Sequence, residues 1–549
     1  MVRPKFLIAL SAIVLCASPA VAGWLIYTYG VDVPFADQIE VAEFLVRNHG
    51  KAFPAGGDLL AFHNESRMVF PRIAFFYLAR MSGWNVRWEM AASLLMACAT
   101  IALIGYLARL HFDRLTALAA TGTAALLVFS PVQWWDWLAG FQLVMFFVPF
   151  LMAVALVALS HGRLWPAIAA AAIATFSFVN GLFLWVALFP AVALMAPDGK
   201  RRGSIVSWIG SAVVSIGLFF YGYQKPPGHP PLVMPWEAPL QFPAYVLAFL
   251  GHPLAWNQEV TASIAVGAIL VTTLVVALVM AWRARRRSAA VWAAFALYAG
   301  MSAGSAAAGR LEMSVAQSLE PRYATISIYL AVGTILTLFA VARPRTVGIA
   351  VAAIAAAHLL AVRSEWPVMQ LFHRERLAAR AAVDFTLVVP DHTALGALVW
   401  PDVVRMRKVI GDLAAIGYVD PMRSAKIERI DAGAPPLFGD FVGVQPFPDG
   451  PGVYGWASLP GARPADAVLL TTITPRGEEV MSVARYAWLQ RPALGRVEPA
   501  LMTSGWQHQF PMQLPDGTRL GAWAYDTKER RAYRIAGRFI VSGQTAVRY

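Results

Sequence analysis

An apolar run over residues 6–28, FLIALSAIVLCASPAVAGWLIYT, is followed at once by a charged stretch over residues 31–50, VDVPFADQIEVAEFLVRNHG. The run is long enough to cross a bilayer as a helix, which needs about 20 apolar residues. Its basic start and the sequence Ala20-Val21-Ala22 also fit a signal peptide with a cleavage site. Because apolar residues continue past that site to Tyr27, we favour an uncleaved first span. Either interpretation places Asp37 outside the cytoplasm.

Further apolar runs predict a multi-pass membrane protein. Hydrophobic residues make up 58% of the 549 positions and charged residues 14%, a balance that excludes a soluble protein of several domains. The predicted fold class is mainly α, a polytopic transmembrane helix bundle of about eleven spans. These spans lie near residues 6–28, 90–110, 115–130, 140–160, 164–179, 181–197, 204–223, 260–282, 288–309, 324–342 and 346–362.

The distribution of basic residues predicts the orientation. If residue 1 is cytoplasmic, the predicted inner segments hold fourteen Lys and Arg against two Asp, a net +12 of the chain's +13. This asymmetry follows the positive-inside rule, so no nucleic-acid partner is needed to explain the basic charge. An odd number of spans then places the chain from about residue 363 outside the cytoplasm. The inner basic residues are Arg3, Lys5, Arg109, Arg114, Arg163, Lys200, Arg201, Arg202, Arg283, Arg285, Arg286, Arg287, Arg343 and Arg345.

Candidate catalytic residues lie in the predicted first outer loop, residues 29–89, which is rich in ionisable side chains. Asp37 follows the first span closely, so its carboxylate would stand at the bilayer surface as a general base for an acceptor hydroxyl. Glu40, three positions on, would orient Asp37 or share a metal ion with it. His63 and Arg67 would share a face at a spacing of four if this piece is helical, so His63 would assist proton transfer. The alternative for each residue is an ordinary loop salt bridge.

Candidate substrate-binding residues lie in the same loop and in other predicted outer segments. Guanidinium groups suit a phosphate or pyrophosphate, and aromatic faces suit sugar rings or lipid. The alternatives are an interfacial aromatic belt for the Trp134–Gln142 turn and ion pairs of Arg310 and Arg322 with Glu312 and Glu320. The predicted binding residues are Glu65, Arg67, Arg72, Trp134, Gln142, Asn180, Arg310, Arg322 and Tyr323.

The pattern changes after the last span. Residues 1–362 form the predicted transmembrane domain, and residues 363–437 a helical linker region. From residue 438 to 549, short β-type runs alternate with Gly, Pro and Asp turn signals such as Pro515-Asp516-Gly517. This pattern predicts a β-sandwich-like domain outside the cytoplasm.

Several motifs resemble the GT-C class of membrane glycosyltransferases, which keep an acidic residue in the first outer loop. Asp37 stands at that place. His63-Asn64-Glu65-Ser66-Arg67 with Pro71-Arg72, the Trp134–Gln142 turn, Asn180-Gly181 and Arg322-Tyr323 resemble a bacterial group of GT-C-like proteins.

The resemblance implies a glycosyltransferase of the bacterial inner membrane. Its donor would be a polyprenyl-phosphate-linked sugar, its acceptor an extracytoplasmic glycan or lipid, and Asp37 its base. Asp37 is followed by Gln38 where a second acid or an Asp-x-Asp would be the stronger signature, so a divalent cation stays open. Cys16 and Cys98 both fall in predicted spans and indicate no thiolate metal site.

Two other classes of protein compete with this interpretation. A transporter or flippase would move lipid-linked sugars without forming a bond. The predicted spans contain few charges, whereas ion-coupled carriers place ionisable groups near the bilayer midplane. A structural or sensory membrane protein with an outer β domain would leave the acidic first loop unexplained.

Overall fold

The computed structural model describes residues 4–226, 228, 230–433, 438–475, 477–542 and 545–549. Residues 434–437 of the predicted linker lie outside this set. The chain divides into two compact units. Unit 1 comprises Met1–Gly30, Ala52–Leu78 and Arg87–Met369, and unit 2 comprises Val31–Lys51, Ala79–Val86 and Gln370–Tyr549. The predicted division at residues 362 and 437 stays a prediction.

Helices make up most of the fold. They are α1 Pro4–Tyr29, α2 Gln38–Arg47, α3 Gly56–Leu60, α4 Val69–Ser82, α5 Arg87–His111, α6 Arg114–Val128, α7 Trp134–Leu138, α8 Leu143–Ser160, α9 Leu164–Thr175, α10 Leu184–Ala187, α11 Phe189–Met195, α12 Arg201–Phe220, α13 Gln241–Gly251, α14 Val260–Arg283, α15 Ala289–Arg310, α16 Ala324–Val341, α17 Pro344–Phe385, α18 Thr393–Leu398, α19 Val403–Ala415 and α20 Pro492–Val497. Short 3-10 turns connect several of them.

Nine helices in the described part of the chain are long and apolar enough to cross a membrane. Each coincides with a predicted span, which confirms a mainly helical, multi-pass membrane protein. The other two predicted spans, residues 164–179 and 181–197, correspond to shorter apolar helices, Leu164–Thr175 and Val179–Met195. The chain turns sharply between them, and a Cβ on Gly181 would lie 1.9 Å from the carbonyl oxygen of Ala174. This close approach explains the glycine at the corner.

The spans of unit 1 differ in burial. The segment Pro321–Val341 is apolar and 83% buried, as expected for a helix at the centre of a bundle. In α12 only 17% of the apolar window is buried, and Val206, Val213 and Leu218 are exposed. These exposed aliphatic side chains are suited to contact with lipid.

Helix α17 continues well beyond the predicted span at residues 346–362. Its 42 residues make a helix of about 63 Å, roughly twice the thickness of the hydrocarbon core of a bilayer. The residues after Arg363 include Glu365, Arg374 and Arg380, which are polar but favour helix. Hydropathy therefore marks the apolar part of this helix and misses its end.

The C-terminal part of unit 2 is rich in β-structure, as predicted. The strands are β1 Phe62–His63 and β2 Ser66–Arg67 in unit 1, then β3 Gly439–Gln445, β4 Gly452–Leu459, β5 Arg463–Pro464, β6 Ala467–Thr474, β7 Gly477–Val483, β8 Tyr486–Leu489, β9 Gly505–Gln509, β10 Arg519–Asp526, β11 Arg531–Arg534, β12 Phe539–Ser542 and β13 Thr545–Arg548.

The strands of unit 2 form two antiparallel sheets. One has the order β13-β12-β10-β6-β7, with β11 also paired to β10, and the other has the order β3-β4-β9-β8, with β5 paired to β4. A single apolar cluster draws side chains from both sheets, among them Phe441, Trp506 and Leu520. Alternation along the strands thus directs one face of each sheet into a shared core.

Candidate functional site

The segment predicted to carry His63 and Arg67 forms a β-hairpin in unit 1. Strand β1 pairs with β2, so His63 lies opposite Ser66. Asn64 occupies the turn with a φ of +48°, a left-handed conformation that asparagine tolerates. This conformation ends any helical path, so the condition for a shared helical face of His63 and Arg67 is not met. His63 is buried, and its ring lies 5.1 Å from that of Phe141.

The hairpin is bonded to the corner that contains Asn180. The backbone N–H of Val179 donates to Ser66 Oγ at 3.1 Å. The N–H of Val69 donates to the carbonyl of Phe176 at 2.8 Å. Asn180 itself is buried in the turn that follows. Two of the motifs singled out in the sequence, residues 63–67 and 180–181, therefore lie side by side in unit 1.

The guanidinium groups of Arg67 and Arg72 bind main-chain carbonyls. Arg67 donates to the carbonyl of Phe219 at 2.8 Å and to those of Leu60 and Tyr221. Arg72 donates to the carbonyl of Asp58 at 2.9 Å and to those of Leu59 and Ala61. Both residues hold the loop that precedes the hairpin in place. The N–H groups that bind these carbonyls are the same kind of donor that would bind a phosphate.

A second polar cluster in unit 1 includes three predicted binding residues, Glu65, Arg310 and Tyr323. Arg310 forms an ion pair with Glu65 at 3.3 Å, although 245 positions separate them. Gln317 donates to Tyr323 Oη at 3.1 Å and accepts a hydrogen bond from Tyr245 Oη.

Arg322 also lies beside this cluster, with its guanidinium carbon 5.5 Å from the ring centroid of Tyr323. Burial raises the pKa of Tyr245 above its usual range, and the adjacent Tyr323 raises it further. Arg310 and Arg322 both act in the opposite direction, so both cations lie within electrostatic range of this phenol. The cluster therefore presents positive charge beside neutral hydroxyl and amide groups.

Tyr245 and Gln317 were not among the predicted site residues. Tyr245 lies in α13, a short apolar helix, and Gln317 lies between two spans. A tyrosine hydroxyl or a glutamine amide that is buried in such a segment needs a hydrogen-bond partner. The presence of these two polar side chains there was the signal that the sequence offered.

The Trp134–Gln142 turn is buried and holds a carboxylate. Asp136 accepts a hydrogen bond from Thr325 Oγ1 at 2.7 Å, and its Oδ1 has no hydrogen-bond partner among the described residues. Trp134 Nε1 donates to Glu365 Oε2 at 2.9 Å. Gln142 is buried, and its Oε1 likewise lacks a partner in the described part of the chain.

Three buried ionisable groups in or next to the apolar helices were not among the predicted site residues. Asp136 and Glu365 are 0% and 5% exposed, and His358 is 3% exposed. His358 Nδ1 lies 3.3 Å from Ser130 Oγ. Hydropathy averages over such residues, so single polar groups in an apolar window leave little trace.

The two predicted catalytic carboxylates lie in unit 2. The carbonyl of Asp37 accepts the N–H of Glu40 at 3.2 Å, so the two residues occupy the first turn at the start of α2. A hydrogen bond to Glu43 raises the pKa of Arg405, and burial opposes this increase. The negative charges of Glu43 and Glu40 raise the pKa further. His63 and the predicted binding residues belong to unit 1.

A serine, a histidine and an aspartate also meet in unit 2, without the geometry of a nucleophilic triad. Asp391 accepts from Ser482 Oγ at 2.6 Å and lies 2.8 Å from His508 Nε2. Ser482 and His508 are buried, and the side chain of Asp391 is 7% exposed. Because the serine hydroxyl donates to the carboxylate and is closed off from solvent, the cluster holds structure together.

No protein-family model, curated protein or solved structure matches this chain. The resemblance to GT-C glycosyltransferases therefore stays a prediction from the motifs.

The described residues contain no group of three or more His, Cys, Asp or Glu side chains that could hold a metal ion. What the geometry offers is a pair of arginines beside phenol and amide groups in unit 1. Such an arrangement can bind an anion and orient neutral hydroxyl groups next to it.

Proposed function

We propose that this chain is a bacterial inner-membrane glycosyltransferase that transfers a sugar from a polyprenyl-phosphate-linked donor to an extracytoplasmic glycan or lipid acceptor. The observation that carries the proposal is the cluster in which Arg310 pairs with Glu65 at 3.3 Å and Arg322 lies 5.5 Å from the ring centroid of Tyr323, which is hydrogen-bonded to Gln317. Arginine suits the phosphate of the donor because its planar fork matches phosphate oxygens. Tyr323 and Gln317 supply neutral groups suited to sugar hydroxyls.

Fixed cations would perform the largest part of the chemistry. As the bond to the sugar breaks, negative charge grows on the lipid phosphate, and preorganised guanidinium groups stabilise it. Arg310 is held in place by Glu65, which limits the reorganisation needed at that moment. Asp37 is the proposed general base for the acceptor hydroxyl, from its place directly after the first span.

The proposed topology places the C-terminal part outside the cytoplasm. The long apolar helices of the described chain number nine, and the predicted spans number eleven. Both counts are odd, because the two short helices are either both counted as spans or both left out. Two sheets with one shared core support the proposed β-sandwich arrangement of residues 438–549.

A specific observation favours a transporter or flippase as the second candidate. Asp136, His358 and Glu365 are buried within helices that could span the membrane. Ionisable groups at such places are costly and are characteristic of ion-coupled carriers. The sequence predicted few charges inside the spans, and this argued against a transporter. The three buried groups weaken that argument.

The first experiment is an assay for glycosyl transfer. Purified full-length protein in liposomes is incubated with a panel of polyprenyl-phosphate sugars and acceptors, and the product is a new glycosidic bond. Arg322→Ala removes one charged contact to the donor phosphate. It should raise the apparent KM for the donor by about 10- to 100-fold. Arg343→Ala, which removes a cation from a predicted inner segment, is the matched control and should leave KM unchanged.

The base is tested separately from the donor site. Asp37→Asn keeps the shape of the side chain and should lower kcat by about 100-fold or more while leaving donor affinity intact. If Asp37→Asn retains full transfer, this residue is not the base.

A second assay separates the two candidate functions. Movement of fluorescent lipid-linked sugar between leaflets is measured in the same liposomes, with Asp136→Asn as the test variant. A wild-type protein that moves lipid and forms no product, and that loses this movement in Asp136→Asn, is a transporter.

A further inference from the structure

A cavity of about 870 Å³ lies at the end of α14, where it meets the start of α15. Its walls are aliphatic and come from three helices, with Leu194 from α11, Leu278 from α14 and Leu297 from α15. Trp282 and four arginines also line it: Arg283, Arg285, Arg286 and Arg287. The volume falls within the range of small-molecule and lipid sites.

The local backbone explains why the cavity forms. Helix α11 contains only seven residues and ends at Met195. The connection between α14 and α15 is tight, and Arg285 adopts a φ of +52° within it. A short helix beside two long ones leaves a gap in the layer of side chains, and the tight connection gathers the arginines at its edge.

Three of the four arginines at this cavity lie outside the ion pairs of the described residues. No ion pair formed by the described residues includes Arg283, Arg285 or Arg286, and all three are exposed. Positive-inside topology explains basic residues at this end of α14. It does not explain an aliphatic cavity of this size beneath them.

We propose that this cavity is a binding site for an anionic phospholipid. The arginines bind the phosphodiester, and the aliphatic walls hold the upper part of the acyl chains. Both features match one molecule, since a soluble phosphate would leave the aliphatic walls unfilled. The site is independent of the glycosyltransferase proposal, because none of its residues belongs to the cluster around Tyr245.

The test uses full-length protein in a non-ionic detergent and follows its thermal midpoint by tryptophan fluorescence. Dioleoylphosphatidylglycerol should raise the midpoint in a saturable way, and dioleoylphosphatidylcholine at the same concentration should not. Arg285→Gln with Arg286→Gln should weaken the apparent affinity for phosphatidylglycerol by about tenfold or more. Arg343→Gln with Arg345→Gln removes the same charge elsewhere and should leave that affinity unchanged.

A shape variant separates the cavity from diffuse surface attraction. Leu297→Trp narrows the aliphatic part of the cavity and keeps every arginine, so it should weaken the phosphatidylglycerol shift while the protein keeps its elution volume in size-exclusion chromatography. Retention of the full shift in Leu297→Trp, or equal losses in the two double variants, would overturn the cavity as the site.

Inorganic phosphate is the remaining ligand to compare in the thermal-midpoint experiment. A midpoint shift with phosphate alone, to which phosphatidylglycerol adds nothing, would show that the arginines bind a soluble anion. That outcome would overturn the lipid as ligand.

Discussion

Arg67 illustrates what a guanidinium does when its donors are satisfied inside a protein. It donates to three main-chain carbonyls, those of Leu60, Phe219 and Tyr221, from parts of the chain about 150 positions apart. A lysine ammonium carries the same charge but lacks the rigid fork that reaches all three. The side chain therefore joins the loop before the hairpin to the end of α12.

Arg67→Lys should consequently destabilise the protein even when no substrate is present. A buried carbonyl left without a donor costs about 1–3 kcal/mol, so the thermal midpoint in detergent should fall. Arg87→Lys is the matched control, because Arg87 is only half-buried and donates to the carbonyl of Tyr27. An unchanged midpoint in Arg67→Lys, with weaker donor binding, would instead support the predicted role in holding phosphate.

Asp391 gives a pH dependence with a definite sign. Burial raises the pKa of Asp391, but hydrogen bonding and charge from His508, with hydrogen bonds from Ser482 and Thr393, outweigh it and lower the pKa to about 2. A folded-state pKa below the ordinary value means that the carboxylate stabilises the fold above about pH 4 and loses this effect as the pH falls through about 2.

Asp391→Asn should therefore lower stability at pH 7 by about 2 kcal/mol. The difference from wild type should shrink as the pH is lowered from 4 towards 2, measured as the thermal midpoint of the β-sheet circular dichroism of the full-length protein. Asp412→Asn is the control, since Asp412 pairs with the exposed Lys408 and contributes little. A difference that is constant with pH would contradict the assignment.

At the scale of elements, the corner between α9 and α10 depends on the absence of a side chain. A Cβ on Gly181 would lie 1.9 Å from the oxygen and 2.2 Å from the carbon of the Ala174 carbonyl. Both are main-chain atoms, so relief requires the two segments to separate.

Gly181→Ala should thus destabilise the protein by about 1–3 kcal/mol through overpacking. It should also disturb the neighbouring hairpin, because Ser66 bonds to Val179 two positions before the glycine. Gly217→Ala in α12 is the matched control: nothing lies within 4 Å of its Cβ, and alanine favours helix. Equal midpoints for Gly181→Ala and wild type would show that the corner can open without cost.

Elements were predictable where a periodic or continuous pattern carries the signal. Apolar runs of about 20 residues marked the nine long helices of the described chain. The hairpin at residues 62–67 was not predictable in this way. Its two strands have two residues each, and Asn64 alone signals the turn.

The site was predictable as a set of residue types and not as a set of partners. Arg310 and Arg322 stood out because arginine is unusual in predicted outer segments. Their neighbours come from distant parts of the chain: Glu65 pairs with Arg310, and Tyr245 lies near both. Pairing across more than 200 positions follows from tertiary packing, which no local pattern encodes.

At the scale of the whole molecule, orientation is the property to test. A reporter that is active only in the cytoplasm should be silent when fused after Tyr549, because the proposed topology has an odd number of spans before this end. The same reporter inserted in the connection of residues 284–288, between α14 and α15, should be active, since that loop carries the basic residues of the predicted inner side. Activity after Tyr549 would overturn the placement of the C-terminal part.

The exposed face of α12 has a consequence for how this sequence can change over time. Val206, Ile209, Val213, Val214 and Leu218 are 48–70% exposed, whereas Trp208 and Phe219 on the same helix are fully buried. Acyl chains do not distinguish one aliphatic side chain from another, so selection at the five exposed positions acts on apolarity alone. We expect relatives of this chain to exchange Leu, Ile, Val and Phe freely there, to exclude charged residues, and to keep large aromatic side chains at the two buried positions. The pattern of substitutions along α12 among relatives would then show which of its residues face the lipid.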